Sequence, residues 1–234
     1  MTDAELIKEI RKYRCADLSD GMDAIGLVDK GTMNESMRPL RPGIEFKGFA
    51  YTIKLLPKSD AVKECKTVDE WREELGKECD KIYSFVGEIT PERAKDTVIV
   101  VDMEGVRGGL WGSEIAMTMM ERGIEGTVLD GGCRDSYEAN LENAPVFCTK
   151  RTFTHAYGRV EPGALNIPVH CAGVTVKPGD IVCADDDGVL VIPRERAEEV
   201  IMFAKMQLED DIQARTEHYD NLGFEHDDTL KRME

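Results

Sequence analysis

Residues 126–139 read GTVLDGGCRDSYEA. Arg134 and Asp135 set a guanidinium beside a carboxylate directly after an apolar run, and that pairing suits a small organic acid. Arginine presents a planar fork that grips an oxyanion through parallel N–H groups. Aspartate holds a hard cation; Mg²⁺ commonly takes one or two carboxylates and completes its shell with water and substrate oxygens. Upstream, LWGSEIAMTMMERG reads as a helix. The N–H groups of its first turn, near Gly112, Ser113, Glu114 and Ile115, lack intrahelical partners and make a seat for a carboxylate or phosphate. Anion seat, guanidinium and cation site together suit a 2-oxo acid chelated through one carboxylate oxygen and its keto oxygen. Asp102, Glu114 and Asp130 are further oxygen donors that could hold the cation.

The same residues also have plainer uses. Asp135 is placed to be the N-cap of a helix SYEANLENA, with Glu138 three residues on completing a capping box; capping and cation binding are compatible. Arg134 could pair with Glu138 at the surface. Cys133 stands beside Arg134, but a nucleophilic thiol needs an activating base and no histidine is near it in sequence. Asp185-Asp186-Asp187-Gly188 reads as a hairpin turn, with cation binding by the clustered carboxylates as the alternative. MEGVRGG lacks the Gly-Lys-Ser/Thr ending of a phosphate-binding loop. Of the four histidines, His155, in FTHAYGRVE, is the one placed to meet a ligand.

These residues need a scaffold that brings Gly112 and Arg134 together. TVIVVD (97–102) is an unbroken β-branched run, hence a buried strand. A helix follows and stops at Gly123, and GTVLD is the next strand. Strand–helix–strand predicts a parallel pair with a right-handed crossover. The helix covers about eleven residues, or ~16 Å, and the returning strand about five, also ~16 Å. Both motifs therefore fall at the carboxyl edge of the strands, where open α/β sheets bind ligands, and the glycines before Cys133 predict a sharp turn there.

Elsewhere, residues 3–14 have helical spacing, and a second helix is expected from Ser19 or Asp20 to Gly26. A strand is expected over Phe49–Leu56. Residues 60–96 read as polar helix with Trp71, Leu75, Ile82, Phe85 and Val86 as its apolar stripe. After residue 144 the pattern turns to short strands, in APVFCT, PVHCAGVTV, DIVCA and DDDGVLVIP. A helix then follows Pro193, with Ala197, Val200, Ile201, Ala204 and Leu208 on one face. The expected architecture is one α/β domain over 1–234 with a β-rich second half and a helical C-terminal extension at 205–234.

Composition narrows the functional classes. The 234 residues carry a formal net charge of −16, which argues against nucleic acid as the main partner, since phosphate must be neutralised by Lys and Arg. No apolar run is long enough to span a bilayer. The charged, helix-like N-terminus does not read as a signal peptide and points to the cytoplasm. Seven cysteines without a C-x-x-C pair support neither a zinc site nor a redox motif; those in apolar runs fit small buried side chains in a reducing compartment.

The stretch VVD followed by LWGSEIAMTMMERGIEGTVLDGGCRD resembles the signature of the RraA-like proteins. That family includes the class II 4-hydroxy-4-methyl-2-oxoglutarate / 4-carboxy-4-hydroxy-2-oxoadipate aldolases and the ribonuclease activity regulator A that names it. CADLSDGMDAIG, MRPLRPGIEFKGFAYTI and IPVHCAGVTVKPGDIVCADDDGVLVIPRERAEEVI resemble other blocks of the family, in order, from about Cys15 to Ala204. The resemblance implies a swivelling β/β/α fold, with helical N- and C-terminal extensions here, assembled as homotrimers or homohexamers with sites between subunits. It implies that Gly112, Ser113, Glu114 and Ile115 hold the pyruvate carboxylate by backbone amides, that Arg134 meets the oxo-acid end and that Asp135 binds the divalent metal. The chain departs from the family at Ser113, where the aldolases have Asp or Glu that organises water. Glu114 follows, one helical step and about 100° further round. Segment 58–96 is longer than in compact members.

The expected activity is Mg²⁺- or Mn²⁺-dependent carbon–carbon cleavage of a hydroxylated 2-oxo acid to pyruvate, with oxaloacetate decarboxylation through the same enolate. Arg134 and Asp135 are its catalytic residues. No lysine falls at the strand-end site, which argues against a Schiff-base aldolase. The alternatives are a non-catalytic, protein-binding regulator and a metal-dependent isomerase or lyase of a sugar acid.

Overall fold

Every residue of Thr97–Asp102 is buried, and the sheet is assembled around this strand. The computed structural model describes residues 1–231. Along the chain run α1 (Asp3–Ile10), α2 (Cys15–Ala24), β1 (Arg38–Pro39), β2 (Phe46–Pro57), α3 (Val68–Ile82), α4 (Pro91–Ala94), β3 (Thr97–Asp102), β4 (Gly109–Trp111), α5 (Ser113–Arg122) and β5 (Gly126–Cys133). Then come α6 (Ser136–Leu141), β6 (Val146–Arg151), β7 (Val160–Leu165), β8 (Val169–Cys171), β9 (Val174–Val176), β10 (Ile181–Asp185), β11 (Gly188–Ile192) and α7 (Ala197–Leu222).

The main sheet has the order β1-β6-β5-β3-β2-β10-β11, with β4 beside β5 and β7 beside β2; β8 and β9 form a separate hairpin. Strands β2, β3, β5 and β6 are mutually parallel. The expected strand–helix–strand unit is β3–α5–β5, in register from Val98↔Gly126 to Asp102↔Asp130. Parallel strands buried on both faces need uninterrupted apolar runs, and both faces are covered. The larger core, with Phe85, Trp111, Met119 and Phe147, takes in residues from both faces of β3. At the antiparallel end of the sheet, α2 and α7 pack through Leu18, Met22, Val200 and Ala204 onto β10 and β11. All five residues of the expected apolar face of α7 are buried. Among the described residues no helix is long and apolar enough to cross a membrane.

Several boundaries differ from expectation for local reasons. Helix α2 begins at Cys15, because Asp17 accepts the Arg14 N–H at 2.8 Å and supplies the start signal ahead of Ser19. Strand β5 continues through Gly131 and Gly132, where a turn was expected. Glycine is needed there for close approach: a Cβ on Gly131 would lie 2.1 Å from Met103 Sδ, and one on Gly132 2.5 Å from the Gly108 carbonyl oxygen. Leu110 and Trp111 belong to β4, so α5 starts later than the apolar pattern implied. The helix expected over 60–96 contracts to α3, a 3₁₀ turn at Ser84–Glu88 and α4. Its Trp71 is 41% exposed and packs edge-on against Tyr157, ring centroids 4.8 Å apart. PVHCAGVTV folds back at Ala172-Gly173, both with positive φ, to make the β8–β9 hairpin. Strand β7 was not foreseen.

Candidate active site

A cavity of about 540 Å³ opens at the carboxyl edge of the strands, between α3 and α5. Helix α5 contributes Glu114, Ile115 and Thr118, and its N-cap Gly112 closes the inner end beside Arg134 and Asp135. Leu75, Cys79 and Asp80 of α3 form the opposite wall, continued by Tyr83 and Val86. His155, bridged through its backbone to Gly109 of β4, completes the rim.

The end of β5 is locked against the start of α5. The Arg134 N–H donates to the Trp111 carbonyl at 2.8 Å. Asp135 has φ 52° and occupies the N-cap position of α6, yet its side chain makes no capping hydrogen bond. The expected capping box with Glu138 is therefore not formed. Its carboxylate turns toward Gly112 instead, where a Cβ would lie 2.6 Å from Asp135 Oδ2. Arg134 Nε donates to Asp135 Oδ1 at 3.2 Å, so the surface pairing of Arg134 with Glu138 gives way to its sequence neighbour. The Arg134 and Asp135 side chains remain 31% and 41% exposed. A guanidinium, a carboxylate and an uncapped helix N-terminus thus share one end of the cavity.

Ser113 and Glu114 exchange the orientations expected of them. The Ser113 hydroxyl donates to Glu142 Oε1 at 2.7 Å, which turns that side chain toward α6 and leaves only backbone for a ligand. Glu114, expected to be rotated away, faces the cavity, as does Ile115. The helix thus presents a carboxylate one residue after the position the resemblance pointed to.

Other candidates are committed elsewhere. Asp102 accepts from Lys54 Nζ at 2.6 Å and from the N–H groups of Glu104 and His170 at 2.8 and 3.2 Å. Asp130 accepts from Thr149 Oγ1 at 3.1 Å and from the Ala172 N–H at 2.8 Å. Both hold the β8–β9 hairpin onto the sheet and neither lines the cavity. Cys133 is fully buried, and the Cys148 thiol together with burial pushes its thiol far up, which opposes a nucleophilic role. Asp185 and Asp186 serve the β10–β11 turn, accepting from the N–H groups of Asp187, Cys15 and Gly43.

His155 does reach the cavity. Its Nδ1 accepts the Tyr157 N–H at 2.8 Å, which places the proton of the neutral ring on Nε2. Burial, then the nearby Arg134 and Arg159, lower its pKa. Sequence reasoning missed Tyr83, Cys79 and Asp80. Tyr83 donates its hydroxyl to the Leu110 carbonyl at 2.8 Å, and burial raises its pKa. The available signal was the helical spacing of Cys79 from Leu75 and Ile82, two members of the expected apolar stripe.

Among the described residues no three His, Cys, Asp or Glu side chains converge as a metal cage. Asp135 alone fits the other kind of site, a single half-exposed carboxylate on which a hard cation keeps most of its waters and takes the remaining oxygens from substrate.

Comparison with known proteins identifies the family and the fold. The family model RraA-like (Aldolase/RraA) matches residues 15–191. The protein DlpA of Legionella pneumophila is 34% identical over 197 residues, 84% of this chain and 29% of that protein. The 4-hydroxy-4-methyl-2-oxoglutarate aldolase of Thermus thermophilus is 31% identical over 112 residues, 47% of this chain and 67% of the aldolase. The chain spans 57% and 55% of two further curated relatives. In fold, Streptomyces coelicolor RraAS2, described as an unusual member of the RNase ES inhibitor RraA family, superimposes with a TM-score of 0.74 at 24% identity, covering 91% of this chain and 96% of its own. With its model matched across most of the sequence, the chain belongs to the RraA-like (Aldolase/RraA) family.

Proposed function

We propose that the protein is a divalent-metal-dependent carbon–carbon lyase that cleaves a 4-hydroxy-2-oxo acid to pyruvate and a carbonyl product. The observation that carries this reading is the junction of β5 with α5, where Arg134, Asp135 and an uncapped helix N-terminus meet around Gly112. The N–H groups of the first turn of α5 receive the substrate carboxylate. Asp135 would hold Mg²⁺ or Mn²⁺, which supplies Lewis acidity toward the keto oxygen. Arg134 neutralises the oxyanion that grows as the C3–C4 bond breaks. Glu114, the first-turn carboxylate facing the cavity, takes the proton of the C4 hydroxyl. The electron pair of the broken bond passes to the enolate of pyruvate, which is then protonated at C3. Oxaloacetate loses CO₂ through the same enolate. The accompanying assembly is a homotrimer or homohexamer, which solution mass measurement checks.

Pyruvate release from a panel of 4-hydroxy-2-oxo acids tests the reading. Turnover should require Mg²⁺ or Mn²⁺, stop with EDTA and return with excess metal. Asp135→Asn should lower kcat/KM at least about a hundredfold, as loss of a hard-cation ligand does. Absence of turnover across the panel, with or without metal, would favour the regulator over the lyase.

A further inference from the structure

The lyase chemistry leaves His155 unused, although its ring lines the cavity together with Arg134 and Asp135. The loop that carries it is held from both sides. The Gly109 N–H donates to the Thr154 carbonyl at 2.8 Å, and a β-bridge joins His155 to Gly109. Arg159 donates to the His155 and Tyr157 carbonyls at 3.0 and 3.1 Å. Tyr157 is itself buried, its ring edge-on to Trp71. Arg134 touches the same glycine. A Cβ on Gly109 would lie 2.7 Å from the Thr154 carbonyl oxygen and 3.0 Å from Arg134 Cβ. The loop and Arg134 thus flank one residue, and the ring belongs to the Arg134 end of the cavity.

The hydrogen bond to Nδ1 decides what this ring can do. Nδ1 accepts the Tyr157 N–H at 2.8 Å, so its lone pair is occupied, and a proton placed there would confront that donor. The neutral ring carries its one proton on Nε2, which leaves Nε2 no lone pair with which to act as a base. The charges facing it favour the same form. Burial, Arg134 and Arg159 lower its pKa, against Asp135, which raises it. What remains is an uncharged N–H donor, oriented before any ligand arrives. A neutral imidazole of that kind polarises a carbonyl as an electrophile. The contacts that fix it lie within one chain and do not depend on a neighbouring subunit.

We infer that His155 is a further catalytic residue: its Nε2–H donates to the C2 oxygen of the substrate and shares with Arg134 the negative charge that gathers there as the C3–C4 bond breaks. This assignment rests on the lyase reading above. The electron pair of the broken bond moves into the enolate, whose charge resides on the C2 oxygen, and no proton leaves the ring. A donor fixed in advance at that oxygen stabilises the transition state more than the ground state. The substrate carboxylate has the N–H groups of the first turn of α5. Its charge does not change during cleavage, so a donor placed on it would alter binding and not rate.

Two variants test this on the Mg²⁺-loaded enzyme, with a 4-hydroxy-2-oxo acid that the wild type cleaves. His155→Phe keeps a ring and removes the donor; His155→Gln returns an amide N–H to the place of Nε2. His155→Phe should lower kcat about 100-fold or more, the usual cost of one oxyanion donor, while KM stays within about threefold. His155→Gln should recover at least about tenfold of that loss. Exchange of the C3 protons of pyruvate with deuterated water passes through the same enolate and should fall in parallel. Calorimetric affinity for Mn²⁺ and the Tm should change little in either variant, which separates loss of the donor from loss of the fold. Cleavage that falls while exchange holds, a change in KM alone, equal loss in both variants, or a His155→Phe enzyme as active as wild type overturns the donor at C2 and leaves the lyase reading standing. A wild-type enzyme that neither cleaves nor exchanges overturns both.

Discussion

Two pairs of carboxylates sit near the same edge of the sheet and do opposite work. Asp102, the last residue of β3, and Asp130, within β5, stand in register on adjacent parallel strands, and each is consumed by hydrogen bonds that fasten the β8–β9 hairpin. Glu114 and Asp135 lie at the start of α5 and just past β5, and both face the cavity. Asp135 takes one side-chain hydrogen bond from its neighbour Arg134 and caps nothing. A carboxylate whose lone pairs are occupied by buried backbone N–H groups is structural. One that occupies a capping position without capping is available for chemistry. Proximity to a strand end does not separate the two pairs; their partners do.

The largest effect should come from breaking the structural pair. Asp102 is 3% exposed and accepts from Lys54 and two backbone N–H groups. Asp102→Ala leaves the Glu104 and His170 N–H groups unsatisfied, while Lys54 keeps Glu104 at 2.6 Å, a loss of about 2–5 kcal/mol. At ~2–4 °C per kcal/mol for a chain of this size, the Tm should drop by about 4–20 °C. Thermal and urea unfolding check this, and a shift below about 1 kcal/mol would place Asp102 with the free carboxylates.

A change of intermediate size should come from Gly112, which lets the functional carboxylate approach. Its φ of −151° is extended backbone that any residue adopts, so alanine is tolerated by the main chain. The added Cβ would meet Asp135 Oδ2 at 2.6 Å and Arg134 Cγ at 3.2 Å. Gly112→Ala should therefore displace the pair by a fraction of an ångström to an ångström, and kcat/KM should fall about 10–100-fold while Tm stays nearly constant. Wild-type turnover in that variant would show that the carboxylate is not needed where it stands.

The comparison also marks how far the sequence could be read. Strand β3, the parallel β3–α5–β5 unit and the buried face of α7 follow from apolar periodicity, because burial is what periodicity encodes. The meeting of Gly112 with Arg134 and Asp135 follows from the rise per residue of helix and strand. Three features were hidden. Gly131 and Gly132 look like a turn, but they exist for the Met103 sulfur and the Gly108 carbonyl, neighbours that no local pattern names. Ser113 was sent toward α6 by Glu142, which lies 29 residues on. The α3 wall escaped because Leu75 and Cys79 have the spacing of a core stripe, while the fold puts an open cavity where a core would be.

The smallest expected effect on stability is the most discriminating. A capping aspartate replaced at its helix usually costs about 1 kcal/mol, so a purely structural Asp135 should register in stability. Asp135 makes no capping bond and its side chain is 41% exposed. Asparagine keeps the shape and shares the tolerance of aspartate for positive φ, which isolates the charge. Asp135→Asn should consequently move the unfolding free energy by no more than about 0.5 kcal/mol, the usual range for an exposed site, while turnover collapses. Urea unfolding and pyruvate release on the same preparation check the pair of outcomes. A stability loss of 1 kcal/mol or more with activity retained would move Asp135 into the class of Asp102 and Asp130.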